Sequence, residues 1–310
     1  MATSSRQLHP ASPFLQPYDL PALCALEPDL AAYLYTTVRG EQSVRFDEPE
    51  AVRLLNQALL RQQFALRWYQ LPAHVLCPAV PGRFDYLLYL QDFLQQQHGK
   101  KPKATQFRLL DIGCGANLIY SLLAAQAMRW QVVASDIATD SLAHAAQIIE
   151  QNALQRRIEL RHQPDAEQIF SGIVRPNELF DLTVCNPPFH QSADEAARGT
   201  QRKQRNLGHT DKSDVLNFAG QSHELWCDGG EAAFVARMIR QSHAVASQVA
   251  WFSCLISKDK NLAVLQKMLN DMQCPSHQVI EMRQGNKVTR VLVWSWMSPA
   301  QQQLWRQYRW

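Results

Sequence analysis

Hydrophobic residues recur at helical spacing through the first hundred residues of the chain. The spacing predicts one helix over residues 50–69 and a second over residues 86–97. A polar and basic stretch over residues 98–106, HGKKPKATQ, follows the second helix and is typical of a linker. The pattern therefore predicts a helical N-terminal extension over residues 1–100 and a second domain over residues 101–310.

From residue 107 onward, short apolar runs that are typical of strands alternate with segments of helical spacing. The predicted strands are residues 107–112, 131–136, 157–162, 180–185, 249–256, 277–282 and 288–296. The predicted helices are residues 117–128, 139–152 and 261–272. Alternation of this kind is typical of a mostly parallel sheet that is covered by helices on both faces. The chain is therefore predicted to form an α/β fold with seven strands.

The end of the chain departs from this alternation. The last two predicted strands are separated by the turn-like segment RQGNK, so we expect them to form a β-hairpin. The glutamine-rich segment QQQLWRQYRW closes the chain. We expect it to be a frayed or weakly helical end.

Composition narrows the class of protein. With 310 residues and 46% hydrophobic content, the chain is long enough for one large α/β domain and a smaller extension. No apolar run approaches the roughly 20 residues needed to cross a bilayer, and the first residues lack the apolar middle of a secretory signal. We therefore expect a cytoplasmic protein with no membrane partner.

The cysteine content and the net charge narrow the class of protein less than the length and the hydrophobic content do. Seven cysteines without a C-x-x-C pair make a disulfide framework or a metal site unexpected, and small buried hydrophobic residues are the simpler interpretation. The formal net charge of +3 is too small to predict a nucleic-acid partner by itself. Basic residues do concentrate in one segment, at Arg198, Arg202, Lys203 and Arg205.

Two glycines, Gly113 and Gly115, follow the first strand of the predicted sheet and precede a helix. Glycine permits close approach of a ligand to the backbone and a positive φ, and the following helix offers unpaired N–H groups. The dinucleotide fingerprint requires a third glycine where this chain has Leu118, which argues against NAD. The loop resembles the acidic-x-G-x-G loop of methyltransferases, whose acid, here Asp111, faces the methionine part of S-adenosylmethionine.

The second strand of the sheet ends in Asp136, about twenty residues after the glycines. A carboxylate at this position suits a ribose, because it can accept hydrogen bonds from both hydroxyls. Asp136 could instead cap the helix that begins near Thr139, since aspartate is a common N-cap residue. The glycine loop upstream favours the cofactor interpretation.

The fourth strand leads directly into Asn186, Pro187, Pro188 and Phe189, at the sheet edge where ligands bind in open α/β folds. The exocyclic amine of adenine is a poor nucleophile, because its lone pair is delocalised into the ring. The Asn186 side-chain oxygen and the Pro187 carbonyl can each accept one N–H of the amine, and Phe189 can stack on the base. A plain Pro-Pro turn is the alternative for the isolated tetrapeptide. The strand, glycine loop and acid before it favour catalysis.

Five segments of the chain match motifs of one known family: PGRFDY at 81–86, DIGCGANLIY at 111–120, NPPF at 186–189, CDGGEAAF at 227–234 and WFSCLISK at 251–258. Together they resemble the RlmF family of bacterial 23S ribosomal RNA adenine-N6 methyltransferases. The resemblance implies a Rossmann-like class I methyltransferase fold with an N-terminal extension. It also implies S-adenosylmethionine as the cofactor and 23S ribosomal RNA, or a large-subunit assembly intermediate, as the partner.

The same resemblance implies roles for single residues. Arg83 would reach the carboxylate of the cofactor, Gly113 and Asn117 would line its loop, and Asp136 would hold the ribose. Asn186 would touch both the cofactor and the target amine. An isolated arginine is by default a surface residue, so only the family pattern singles out Arg83.

The segment after the tetrapeptide, at about 190–222, is too long for an ordinary connection and lacks sustained apolar periodicity. We expect an RNA-binding loop here, in which the basic cluster contacts phosphates that fix the register without reading the sequence. A solvated run of charge is the competing interpretation.

Two other functions remain open. Related pockets methylate another planar amine, such as guanine N2 or the glutamine side chain of a protein. A non-catalytic RNA-binding scaffold would keep the fold without the transfer activity, but the intact glycines, Asp136 and the NPPF motif argue against it. The sequence therefore predicts an enzyme that methylates the N6 amine of an adenine in ribosomal RNA.

Overall fold

The fold was established from a computed structural model of the chain. The structure describes residues 8–72, 75–99, 103–104, 106–188, 227–284 and 287–310. Phe189, the expected RNA-binding loop and its basic cluster lie outside the described residues. Among the described residues, no helix combines the length and the hydropathy that a membrane span requires.

The N-terminal extension contains three α-helices and a short hairpin among its described residues. Its elements are α1 (Leu20–Leu26), a 3₁₀ turn (Pro28–Tyr33), β1 (Leu34–Thr36), β2 (Gln42–Val44), α2 (Pro49–Phe64) and α3 (Val80–His98). Helix α3 begins earlier than the periodicity predicts, because Pro81 lies in its first turn, where a missing N–H costs no hydrogen bond. The antiparallel hairpin of β1 and β2 was not predicted, because three residues are too few for strand alternation to be recognised.

The second part of the chain forms a seven-stranded sheet, as predicted. Its strands are β3 (Arg108–Ile112), β4 (Gln131–Asp136), β5 (Ile158–His162), β6 (Phe180–Cys185), β7 (Val249–Ile256), β8 (Ser276–Gln284) and β9 (Lys287–Ser295). Their order across the sheet is β5-β4-β3-β6-β7-β9-β8. The first five strands in this order run parallel, whereas β9 runs antiparallel to both of its neighbours. The predicted pairing of the last two strands as a hairpin is confirmed.

Helices cover both faces of the sheet. The helices of this part are α4 (Ile119–Gln126), α5 (Thr139–Gln151), α6 (Gly230–Ser242), α7 (Asp259–Asp271) and α8 (Pro299–Arg309). Neighbouring strand residues point to opposite faces, so Leu109 joins one hydrophobic cluster with α3, α4, α5 and α8, while Leu110 joins a second cluster with α6 and α7. The extension contributes to the first cluster and therefore shares a core with the sheet.

The chain ends in helix α8, so the helical alternative for this segment is confirmed and the frayed alternative was wrong. Helix α8 begins with a capping box in which Ser298 and Gln301 satisfy each other's backbone N–H groups. The indoles of Trp305 and Trp310 both donate to Asp181 Oδ1, at 2.7 and 2.9 Å. Asp181 is fully buried on β6 and lies more than a hundred residues away in sequence, so the glutamine-rich segment alone gave no sign of this anchor.

A buried histidine joins the extension to the sheet. His98, the last residue of α3, accepts a hydrogen bond from Trp251 Nε1 at 3.1 Å and packs edge-on against Trp310, with ring centroids 4.3 Å apart. Burial, and secondarily the charge of Arg306, lowers the pKa of His98 to about 4. The ring is therefore neutral at physiological pH, as its acceptor role requires.

A buried carboxylate holds the junction between β7 and α7. Glu231, in the first turn of α6, accepts hydrogen bonds from Ser257 N at 2.8 Å, from Ser257 Oγ and from Asn261 Nδ2 at 2.9 Å. Gly229, just before the helix, has a φ of 74°, and a Cβ there would lie 2.5 Å from the Cβ of Ala233. The GGE segment of the sequence therefore docks α6 against the carboxyl end of β7.

Replacing His98 with glutamine should weaken the pH dependence of folding stability. The unfolded chain takes up this proton near pH 6.5 and the folded protein only near pH 4, so the stability from neutral His98 is full above 6.5 and is lost as the pH falls toward 4. Urea denaturation at about pH 7.5 and about pH 5 should show a loss about 2 kcal/mol larger in the wild type than in His98→Gln. Equal losses in the two proteins would contradict this account.

Glu231→Gln should lower the free energy of unfolding by about 2 kcal/mol or more, because the new amide nitrogen would face buried N–H and O–H donors. Urea denaturation measures the change. The matched control is Glu281→Gln, whose carboxylate forms an exposed ion pair with Arg283 at 3.0 Å. That control should shift stability by less than about 0.5 kcal/mol. A control effect as large as that of Glu231→Gln would argue against the buried anchor.

Candidate active site

Three strands end side by side at the carboxyl edge of the sheet. Within the ladder, Ile112 of β3 pairs with Ser135 of β4 on one side and with Cys185 of β6 on the other. Because all three strands run parallel, the next residue of each strand emerges at the same edge. The residues concerned are Gly113, Asp136 and Asn186.

These residues border one cavity of about 380 Å³. The sequence-predicted residues that line it are Arg83, Gly113, Gly115, Asn117, Asp136, Asn186 and Pro188. The glycine loop and the start of the NPPF segment thus line the same cavity. This juxtaposition is the one that the sequence interpretation required.

Backbone hydrogen bonds fix the glycine loop. Gly113 N and Cys114 N both donate to Ser135 O, at 2.9 and 3.0 Å. Gly113 and Gly115 have φ values of 69° and 60°, in the left-handed region that favours glycine. A Cβ at Gly113 would meet no atom of the other described residues within 4 Å, apart from its chain neighbours, so these residues leave space for a ligand there.

Asp136 links the loop to the second strand. Its Oδ2 accepts Gly115 N at 2.8 Å and its Oδ1 accepts Ala138 N at 2.9 Å. The N-cap residue of α5 is Ala138, so Asp136 is not the cap of that helix. Each carboxylate oxygen retains a free lone pair, which leaves both able to accept the hydroxyls of a ribose.

Asp111 differs from the two glycines and Asp136 in that it contacts a helix and does not line the cavity. Its Oδ2 accepts Ser121 N at 3.2 Å and Ser121 Oγ at 2.6 Å, so it braces helix α4, and it is not among the residues that line the cavity. Burial raises the pKa of Asp111 to about 7. Its Oδ1 finds no hydrogen-bond partner among the described residues, and contact with a cofactor stays a prediction.

The N-terminal extension supplies one wall of the cavity, through Leu76, Pro78 and Arg83. Tyr69 Oη donates to Asn117 O at 3.1 Å, and Asn117 Nδ2 donates to Leu76 O at 3.4 Å. Asn117 Oδ1 accepts Ile119 N at 3.1 Å, at the start of α4. Asn117 therefore ties the extension to the helix that follows the glycine loop.

Asn186 lines the cavity and carries a buried side-chain oxygen. Its Oδ1 is buried and has no hydrogen-bond partner in the described part of the chain. Pro188 lines the cavity and Pro187 is buried beside it, and neither proline can donate a backbone hydrogen bond. A ligand that carries an N–H donor would satisfy the Asn186 oxygen.

Sequence reasoning missed several lining residues: Ile137, Gln163, Glu167, Ile169, Phe234 and Arg237. Ile137 directly follows Asp136 and is 41% exposed, which is unusual for an isoleucine and marks an apolar surface open to a ligand. Gln163 follows β5, and its backbone N–H donates to Asp136 O at 2.9 Å. Both residues immediately follow a parallel strand, and that position was the signal that could have found them.

An ion pair and hydrogen bonds join helix α6 to the loop after β5, and residues of both line the cavity. Arg237 of α6 forms an ion pair with Glu167 at 2.7 Å and donates to Ala166 O at 3.1 Å. Gln241, one turn later, accepts Ile169 N at 2.8 Å and donates to Glu167 O at 2.7 Å. Helix α6 thereby holds the loop after β5 against the cavity.

In the part of the chain that the structure describes, no group of three or more side chains could hold a metal ion.

The chain is similar to proteins of known name. A family model described as RNA methyltransferase matches residues 2–298. The ribosomal RNA large subunit methyltransferase F of Shewanella baltica strain OS223 is 47% identical over 308 residues, which cover 97% of this chain and 84% of the relative. The protein of the same name from Pseudomonas aeruginosa strain LESB58 is 45% identical over 312 residues, with coverage of 99% and 93%.

Solved structures agree with the fold. The hMettl16 catalytic domain in complex with MAT2A 3'UTR hairpin 1 matches with a TM-score of 0.78 and 28% identity, covering 94% of this chain and 96% of that one. The N-terminal domain of human METTL16 in complex with SAH matches with a TM-score of 0.75 and 27% identity, with coverage of 94% and 99%. These matches confirm the class I methyltransferase fold and S-adenosylmethionine as the cofactor. The chain belongs to the RNA methyltransferase family, and within it to the RlmF group.

Proposed function

We propose that this enzyme transfers a methyl group from S-adenosylmethionine to the N6 amine of one adenine in 23S ribosomal RNA. The observation that carries the proposal is Asn186, which lines the same cavity as the glycine loop and whose buried Oδ1 lacks a partner among the described residues. The relatives that bear the name ribosomal RNA large subunit methyltransferase F support the choice of substrate.

The cavity residues fit the cofactor group by group. Arg83 offers a positive charge for the carboxylate, and the open space at Gly113 allows close approach to the backbone. Asp136 has lone pairs for the ribose hydroxyls, and Ile137 has exposed apolar surface for the adenine ring. When bound, S-adenosylmethionine supplies a methyl group on a positively charged sulfur, so that a nitrogen–methyl bond forms as a sulfur–methyl bond breaks.

The chain's own contribution to the reaction is positioning. Asn186 Oδ1 and the Pro187 carbonyl would each accept one N–H of the target amine, which turns the nitrogen lone pair toward the methyl group. An amide oxygen is not a base at neutral pH, so Asn186 orients the amine and does not retain its proton, and the methylated nitrogen releases that proton to solvent. The rate gain then comes from alignment of the amine with the methyl group, not from an acid or a base with a shifted pKa.

The RNA contacts belong to the same proposal. The cluster of Arg198, Arg202, Lys203 and Arg205 would bind phosphates near the target adenine, and Phe189 would stack on the flipped base. Each contact with a phosphate would release counterions, so binding should weaken with added salt. The substrate would be 23S ribosomal RNA or a large-subunit assembly intermediate in the cytoplasm.

Asn186→Ala should reduce methyl transfer at least a hundredfold, because the amine loses the acceptor that orients it. Single-turnover transfer from labelled S-adenosylmethionine to RNA measures the rate, and calorimetry with S-adenosylhomocysteine measures cofactor binding. Asn186→Asp keeps an acceptor oxygen and should retain more activity than Asn186→Ala. The control is Asn270→Ala, an exposed amide that bonds His277, and it should leave the rate unchanged. Full activity of Asn186→Ala would refute the role of Asn186 in transfer, whereas a wild type that binds RNA without transferring the methyl group would favour a non-catalytic RNA-binding scaffold.

The substrate can be identified with ribosomal RNA from cells that lack the enzyme. Purified protein and labelled cofactor should place one label in 23S RNA, and nuclease digestion should release N6-methyladenosine. Naked RNA, assembly intermediates and finished subunits, compared side by side, would show which form is modified. Release of N2-methylguanosine, or label in a glutamine of a protein, would instead support methylation of another planar amine.

A further inference from the structure

Arg83 is a cation on the cavity wall that forms no ion pair with any described residue. It lies in the first turn of α3, so the extension carries it to the site. Its one side-chain hydrogen bond within the described residues runs from Nη1 to Tyr120 Oη, at 2.6 Å. The guanidinium is therefore held in place without having its charge neutralised.

Tyr120 contacts Arg83 in two ways. Besides accepting the hydrogen bond, its ring lies 5.5 Å from the guanidinium carbon, within the range of a cation–π contact. Burial raises the pKa of Tyr120 to about 12, so the hydroxyl remains neutral at physiological pH. A neutral partner holds the arginine and leaves its whole charge available to a ligand in the cavity.

Tyr120 is itself held in place by its neighbours. The ring of Tyr86 packs edge-on against it, with centroids 5.4 Å apart and an interplanar angle of 85°. Tyr86 Oη shares a hydrogen bond with Ser253 Oγ at 2.8 Å, and Ser253 Oγ donates to Thr183 O at 2.5 Å. The position of Tyr120 is thus tied to α3 and, through Tyr86, to β6 and β7.

We propose that Tyr120 is a positioning residue, which aims the Arg83 guanidinium at the carboxylate of the methionine part of the cofactor. The inference rests on the proposed role of Arg83. It gives the site a means of selecting ligands with an amino-acid end over nucleosides that lack one. Tyr120 acts through Arg83, so its effect should appear only with ligands that carry the carboxylate.

Two nucleosides separate this role from a merely structural one. S-adenosylhomocysteine carries the amino-acid end, whereas 5'-methylthioadenosine shares the adenosine and sulfur but lacks that end. Calorimetry should show that Tyr120→Phe weakens S-adenosylhomocysteine about tenfold, the effect of losing one hydrogen bond to a charged group. Its affinity for 5'-methylthioadenosine should change less than about twofold. Arg83→Met should have the same selectivity and a larger effect.

The double variant tests whether the two residues act together. If Tyr120 works through Arg83, adding Tyr120→Phe to Arg83→Met should cause no further loss of S-adenosylhomocysteine affinity. The ratio of the two ligands' affinities corrects for any misfolded fraction, because both are titrated into the same preparation. Tyr308→Phe, at a tyrosine that is 83% exposed, serves as the matched control and should bind both ligands normally.

The possible failures can be told apart. A wild type that binds neither nucleoside would overturn the cofactor site itself. An Arg83→Met variant with normal affinity for S-adenosylhomocysteine would overturn the role of Arg83 and this inference with it. Suppose that Arg83→Met weakens S-adenosylhomocysteine selectively. Equal losses for both ligands in Tyr120→Phe, or a further loss when Tyr120→Phe is added to Arg83→Met, would then overturn the positioning role of Tyr120 alone.

Discussion

The site depends on the register of β3 with the two strands beside it. Ile112 pairs with Ser135 and with Cys185, which places the glycine loop, Asp136 and Asn186 at one edge. A shift of one residue in either pairing would turn Asp136 or Asn186 to the opposite face of the sheet. The alternation of Leu109 and Leu110 between the two core clusters opposes such a shift, because it would move apolar side chains out of their packed positions. The register that packs the core therefore also aligns the cofactor loop with the NPPF segment.

The N-terminal extension is part of this edge, because it supplies one wall of the cavity. It shares the larger hydrophobic cluster with one face of the sheet, and His98 fixes its last helix to Trp251 and Trp310. Arg83, in the first turn of the same helix, lies at the cavity, so one rigid element connects the His98 anchor to the site. This arrangement gives a physical reason why the family resemblance includes PGRFDY and is not confined to the sheet.

Buried polar groups divide into two kinds in this protein. Asp181 accepts from two indoles, from Arg309 and from Arg108 N, and Glu231 is likewise saturated with donors. In contrast, Asn186 Oδ1 lacks a partner among the described residues, although a buried acceptor without one costs about 1–3 kcal/mol. The saturated groups hold elements together. Asn186 lines the cavity, where a bound amine would supply the donor that its oxygen lacks.

Periodicity and residue types at fixed spacing were enough to predict the seven strands of the sheet, three of the helices that connect them, the glycine loop, the acid after β4 and the NPPF segment. The sequence could not show the anchors of α8 and α6, because their partners lie far away in the chain, at Asp181 and Ser257. Nor could it show that Asp111 braces Ser121, or that Tyr120 holds Arg83, because a side chain's direction depends on packing. Local pattern specifies most of the elements, but which polar atoms meet depends on how those elements pack in three dimensions.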